Sequence, residues 1–154
     1  MSRRNRVGSS GFTIIELLIS LTIMVIIIGV IFSFFIFNMK SFKKGEDLSI
    51  VQSDVRMAAA YVTEELRNVN NVSLTLSTLP NALDTSLLHT KFASVNNATF
   101  LIKQEGIHYV IEFSIQGNDA TMENEYTLDS NVLMNNITSS VIGSGNTLYY
   151  QKEY

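Results

Sequence analysis

The pattern of apolar and polar positions changes character twice along the chain. From Leu17 to Phe37, 17 of 21 residues are apolar and none is charged. As a helix rising about 1.5 Å per residue, that run spans about 32 Å, enough to cross a hydrocarbon core of about 30 Å. Its polar side chains, Ser20, Thr22 and Ser33, are all of the kind that bonds back to its own helix. A soluble helix that is apolar on every side needs a large core around it, and a chain of 154 residues is too short to build one. The pattern therefore predicts a membrane-inserted helix.

Beyond this run the apolar positions become periodic. Leu48, Val51, Val55, Ala58 or Ala59, Val62, Leu66 and Val69 recur at spacings of three and four, with Asp47, Gln52, Asp54, Arg56, Glu64 and Arg67 mostly on the other faces. This is an amphipathic continuation of the same helix, which then runs from Phe12 to about Val69, roughly 58 residues and about 87 Å. Gly29 and Gly45 are its weak points, each costing about 1 kcal/mol relative to Ala. Gly45, between Lys44 and Glu46, is where a bend is most easily accommodated. The apolar stripe is expected to pack on the protein's own sheet.

After Asn70-Asn71 the period becomes two. Ile107, Tyr109, Ile111, Phe113 and Ile115 alternate with His108, Val110, Glu112, Ser114 and Gln116, which is strand patterning. Thr99 to Lys103 reads as the partner strand, with Gln104-Glu105-Gly106 as the hairpin turn. Thr147 to Gln151 reads as a late strand, and Ser73 to Leu76 and Ile137 to Ile142 as weaker ones. Leu79 to Asn97, Gly117 to Asn124 and Ser144-Gly145-Asn146 read as loops or turns. The expected fold is α+β, with a long N-terminal helix packed through its second half on a small antiparallel sheet.

Composition sharpens this division. The 46% of hydrophobic residues is an average over an apolar rod and an ordinary globular remainder. With no Cys, a disulfide scaffold and a Cys-based zinc domain are excluded, and the redox compartment is left open. The net charge of −3 is likewise an average: from Asp47 onward there are 5 basic and 12 acidic residues, a net −7. Such a head is not expected to hold nucleic-acid phosphates directly, since that affinity comes from Lys and Arg.

Little in the head suggests chemistry. His89, placed in the long loop, and His108, on the polar face of its strand, read as solvated residues. Asp119, Glu123, Glu125 and Asp129 gather near a turn but lack EF-hand spacing, and read as acidic surface rather than a calcium site. Asn71, Asn97 and Asn136 each open an Asn-x-Ser/Thr triplet, read as coincidence in an Asn-rich chain. No phosphate loop, G-x-S-x-G or Ser-His-Asp spacing appears. No enzyme and no cofactor are expected.

The N-terminus carries more. Arg3, Arg4 and Arg6 precede Gly8, Ser9, Ser10 and Gly11, a secretory type of start. The apolar run is longer than an ordinary signal core of about 7–15 residues, and no small-x-small cleavage site follows it. Lys40, Lys43 and Lys44 match the three arginines in number, so the cytoplasmic placement of the N-terminus rests on the secretory start. Glu16 then stands out at the head of the apolar run. A carboxylate at membrane depth costs a few kcal/mol and is a functional candidate. Thr13-Ile14-Ile15-Glu16 also fits a capping box, in which Thr caps the helix and Glu reaches back to a free N–H. The two readings are compatible.

Gly11-Phe12-Thr13-Ile14-Ile15-Glu16-Leu17-Leu18, after a short basic leader and before an apolar helix, resembles the type IV prepilin signature. The resemblance covers Gly11 to about Phe37. It implies a leader at 1–11, a membrane-spanning half-helix at 12–37, an amphipathic continuation at 38–70 and a β head at 71–154. It implies cleavage between Gly11 and Phe12 by a prepilin peptidase, N-methylation of Phe12, and a role for Glu16 in attracting the Phe12 amine of a neighbouring subunit. The implied partners are that peptidase, other pilin or pseudopilin subunits packed helix to helix, and membrane lipids. The chain has no Pro before Pro80, where many major pilins carry one, and Gln52 to Ala58 with Glu64 to Val69 resembles W-type minor pilins and J-type minor pseudopilins. A minor subunit is therefore expected, anchored with its head outside and then built into a pilus, competence or type II secretion filament. The alternative is a single-pass anchored binding module that keeps its leader.

Overall fold

Gly11 to Thr13 lie outside any helix or strand, and from Ile14 the chain is helical. In the computed structural model, which describes residues 11–75, 79–121, 123–134, 137, 139–140 and 142–152, this helix, α1 (Ile14–Arg67), is 54 residues long and continues through Gly29 and Gly45. The expected leader through Ser10 lies outside the described residues. The chain divides into two units, Met1–Phe42 and Lys43–Tyr154, and α1 contributes to both.

In the first unit every apolar side chain from Phe12 to Phe42 is exposed. An 18-residue window of this stretch has mean hydropathy 2.9 and none of it is buried, so it is long and apolar enough to cross a membrane.

In the second unit the stripe closes on a core. Val51, Val55, Ala58, Ala59, Val62 and Leu66 are buried along α1 and Leu48 is half-buried. Burial of each Val or Leu contributes about 1.5–3 kcal/mol. Val69, the last expected member, is buried too, but it opens a strand: α1 stops at Arg67, and β1 is Val69–Ser73. The strand expected from Ser73 is thus displaced toward the N-terminus, and Leu76 lies outside the described residues.

The expected loop from Leu79 to Asn97 is largely structured. It contains β2 (Asn81–Asp84), α2 (Thr85–Lys91) and the start of β3 (Val95–Glu105). Asp84 nucleates α2, accepting from Leu87 N at 2.7 Å and from Ser86 Oγ at 2.9 Å, as an N-cap does. Leu88 is buried, Phe92 packs at 6.2 Å from Tyr61 of α1, and Lys91 lies 4.8 Å from the centre of the Tyr61 ring. Ser94 N donates to Asp54 Oδ2 of α1 at 3.0 Å, fixing the return into β3.

β3 pairs antiparallel with β4 (His108–Asn118) through the Glu105–His108 pair, so the turn is Gly106-Ile107. Gly106 adopts φ 64°, the conformation a two-residue hairpin loop demands. Ile107, expected inside the strand, is a turn residue and 88% exposed. Further along, Ile111, Phe113 and Ile115 are buried as the alternation requires. β5 (Glu125–Met134) pairs with the other side of β4 over ten residues, a strand the sequence reading did not contain. β6 (Ser139–Ser140) occupies part of the expected Ile137–Ile142 strand. β7 (Gly143–Gly145) replaces most of the expected turn at Ser144 to Asn146, and β8 (Thr147–Lys152) is the late strand.

The strands form two four-stranded sheets, β2-β8-β1-β6 and β5-β4-β3-β7. All pairings are antiparallel except β1 with β6. The architecture is α+β, as expected, with two sheets where one small sheet was anticipated. Sequence periodicity reports faces, whereas partition into sheets is set by long-range pairing such as Val72 with Tyr150.

Candidate processing and assembly site

The start of α1 is built by Thr13. Its hydroxyl accepts from Glu16 N at 3.4 Å and its carbonyl accepts from Leu17 N at 3.2 Å, satisfying two donors at the helix start. This is one half of the expected capping box. The Glu16 carboxylate does not complete the other half: no hydrogen bond or ion pair reaches it among the described residues. It is an exposed anion in the first turn, where the helix dipole favours negative charge.

The other polar groups of the apolar half are consumed locally. Ser20 Oγ donates to Glu16 O at 2.8 Å, Thr22 Oγ1 to Leu18 O at 2.8 Å, Ser33 Oγ to Gly29 O at 2.9 Å, and Asn38 Nδ2 to Phe34 O at 2.9 Å. Each hides its donor against its own helix, which suits lipid. Glu16 differs from all of them. Phe12 is 71% exposed, and a β-carbon added to Gly11 would meet nothing within 4 Å. Packing among the described residues thus asks for neither residue.

The head's candidates fall on separate elements. His89 lies in α2 rather than a loop, and its Nδ1 is 2.7 Å from Val95 O, tying the helix to β3. His108 opens β4. Asp119 holds its own turn shut: its carboxylate accepts from Glu123 N at 3.0 Å and from Asn124 Nδ2 at 2.6 Å. Burial opposes ionisation of Asp119, but the bonds from Asn124, Thr121 and Glu123 outweigh it and hold the carboxyl below its usual range. Glu125 bonds to Gln116, and Asp129 stands exposed on β5. Among the described residues no group of three or more His, Asp or Glu is placed to hold a metal ion. Asn71 sits in β1 and Asn97 in β3, while Asn136 lies outside the described residues.

One cluster is illegible in the sequence. Glu65, near the end of α1, accepts from Tyr150 Oη at 2.5 Å and pairs with Lys152 Nζ at 2.8 Å, clasping α1 to β8 across more than eighty residues. Burial pushes its carboxyl up, yet the bonds from Lys152 and Tyr150 and the charges of Lys152 and Lys91 hold it below the usual value.

No curated protein and no solved structure matches this chain. Residues 6–32, however, match the family described as the prokaryotic N-terminal methylation motif, so the chain carries a type IV prepilin-like methylation segment at the start of its long apolar helix, in keeping with a type IV pilin or pseudopilin.

Proposed function

We propose that the chain is made as a prepilin, cut between Gly11 and Phe12 by prepilin peptidase, N-methylated on Phe12 and built through α1 into a type IV pilus-like filament as a minor subunit. The carrying observation is the Glu16 carboxylate, which has no partner among the described residues, four residues beyond a Gly11-Phe12 junction that packing among those residues does not require. A carboxylate moving out of water needs a counter-charge, and the freed amine of Phe12 in a neighbouring subunit is the group of the right sign at the right end of the helix. The absence of Pro before Pro80 supports a minor position. The protein is anchored in the cell membrane with its head outside until assembly draws it into the filament. Its role is structural rather than catalytic, and whether the neighbouring genes encode an assembly ATPase, a polytopic membrane platform and other short prepilins is the observation that separates pilus, competence and secretion systems.

Intact-mass analysis of the membrane-extracted protein tests this. A mature chain starting at N-methyl-Phe12 is expected. A chain starting at Met1 or Ser2 refutes the reading and fits an anchored binding module instead.

A further inference from the structure

Among the described residues the head has four sheet edges, and three of them are two to four residues long: β2, β6 and β7. Short edges resist pairing with other chains. The fourth, β5, is ten residues long, pairs with β4 without a bulge, and contains no Pro or Lys. Its protection is confined to the two charges of Glu125 and Asp129, on the face away from α1, and no bulge, Pro or Lys adds to it.

Its hydrogen-bonding parity follows from its neighbours. Asp119 N donates to Asn124 O at 3.1 Å, and the β3–β4 hairpin closes at the Glu105–His108 pair. The β4–β5 register is unbroken and the β3–β4 register is unbroken from Asn97 to Glu105, so both require the odd-numbered residues of β4 to bond to β5 and its even-numbered residues to bond to β3. On β5, therefore, Tyr126, Leu128, Ser130, Val132 and Met134 exchange backbone bonds with β4. The N–H and C=O of Thr127, Asp129, Asn131 and Leu133 point out of the sheet, and no described element pairs with them.

Beside the Met134 end lies a groove of about 390 Å³ lined by Thr63, Arg67, Val69, Val132 and Met134 among others. Arg67 is exposed and has no ion-pair partner among the described residues. On the opposite face of the strand, Asp129 is an exposed anion. The edge thus offers a cation on the α1 side and an anion on the outer side, joined by a row of half-buried apolar residues.

We propose that β5 is completed by an extended segment of a different membrane-delivered subunit, added as a fifth strand. That segment is apolar at alternate positions on the α1 side, carries a carboxylate that reaches Arg67, and presents a cationic side chain opposite Asp129. The proposal deepens the filament reading above and rests on it for the source of the partner. A second copy of this chain fits poorly. Its other described edges are too short, and antiparallel pairing of two β5 strands about an axis normal to the sheet keeps each face on its own side, so the second copy brings only Glu125 and Asp129 to the outer face and supplies neither an anion for Arg67 nor a cation for Asp129. Parallel pairing about an axis along the strand would set the apolar row of one copy beside the polar row of the other.

Thr127→Pro and Asn131→Pro each delete one outward N–H and spare the bonds to β4, as proline at a strand edge permits. Thr127→Ala and Asn131→Ala keep the N–H. In the native host, the full chain with either proline should lose its leader normally yet fall about tenfold in cross-linked assemblies with partner subunits, while the alanine variants stay within about twofold. Proline variants that assemble like wild type overturn the proposal. So do alanine variants that fail equally, because the side chains and not the backbone would then be read. If the unmodified chain keeps its leader, the filament reading fails separately. The edge is then judged by hydrogen exchange on that unmodified chain, which also covers proline variants that do not fold. The N–H groups of Thr127, Asp129, Asn131 and Leu133 should exchange about tenfold more slowly in native membranes than in detergent-extracted monomer. Equal rates overturn the fifth strand.

Discussion

A β-carbon on Gly117 would stand 2.6 Å from Cγ2 of Val55 and 2.8 Å from the carbonyl oxygen of Ser94. Gly117 belongs to β4 and pairs with Val95 and Tyr126, so a strand backbone is pressed directly onto the buried stripe of α1 at this point. Read from sequence, Gly117 opens a loop. In the structure it is the place where β4 and the helix come close enough to exclude any side chain.

Gly117→Ala is therefore expected to destabilise the head by about 1–3 kcal/mol, the usual cost of overpacking. Adding Val55→Ala should recover part of that loss, because one of the two clashing groups is removed while the rigid Ser94 carbonyl remains. Urea unfolding of the full chain in detergent measures both. Strictly additive losses in the double variant would show that the contact is not the source.

The clasp at Glu65 makes stability depend on pH. Because the carboxyl is held below its unfolded value of 4.5, the folded state binds fewer protons than the unfolded one, and the contribution is present above that value. It is lost as pH falls through the depressed folded pKa. Glu65→Gln should cost about 1.5–3 kcal/mol at neutral pH, the range for hydrogen bonds to a charged group. It should also flatten part of the decline in melting temperature below about pH 4.5. A variant with the same acid-side slope as wild type would place the titrating group elsewhere, with Asp119 the next to examine.

What could be read in advance followed from long, regular patterns. The α1 stripe from Leu48 to Leu66, the alternation in β4 from Tyr109 to Ile115 and the Thr13 cap are local signals that stand where their spacing puts them, whereas Val69 and Ile107, at the ends of their patterns, fall in a strand and a turn. Three features escaped for physical reasons. α2 has seven residues, too few for a helical period to emerge, and its one cue was Asp84 placed three residues before Leu87. In β5 the acids Glu125 and Asp129 suggest a cluster, although Tyr126, Leu128, Val132 and Met134 carry the period of two. The Glu65 clasp joins residues whose proximity exists only after β8 docks.

Asp84 gives a direct measure of how much α2 depends on its cap. Asp84→Ala removes the acceptor for Leu87 N and Ser86 Oγ and should cost about 1 kcal/mol, whereas Asp84→Asn should cost less because Asn caps nearly as well. Faster hydrogen exchange confined to α2 and the adjoining start of β3 is the expected signature. A uniform loss across the head would mean that α2 is integral to global folding and does not open on its own.

The two roles open to Glu16 separate by mutation. Glu16→Ala leaves the Thr13 hydroxyl bonded to the backbone N–H of residue 16, so α1 should still start at the same place and cleavage after Gly11 should proceed. Incorporation into filaments should fall by about tenfold or more, because the neighbour's Phe12 amine loses its counter-charge as it leaves water. Thr13→Ala should do the converse, fraying the first turn at a cost of about 1 kcal/mol while keeping the carboxylate. Gly11→Val should block cleavage outright, although the chain's own packing has room for the side chain. Immunoblots of sheared filaments and intact mass of the membrane fraction report the two outcomes independently. Normal incorporation of Glu16→Ala would reduce Glu16 to a helix-start residue, and normal cleavage of Gly11→Val would remove the prepilin reading altogether.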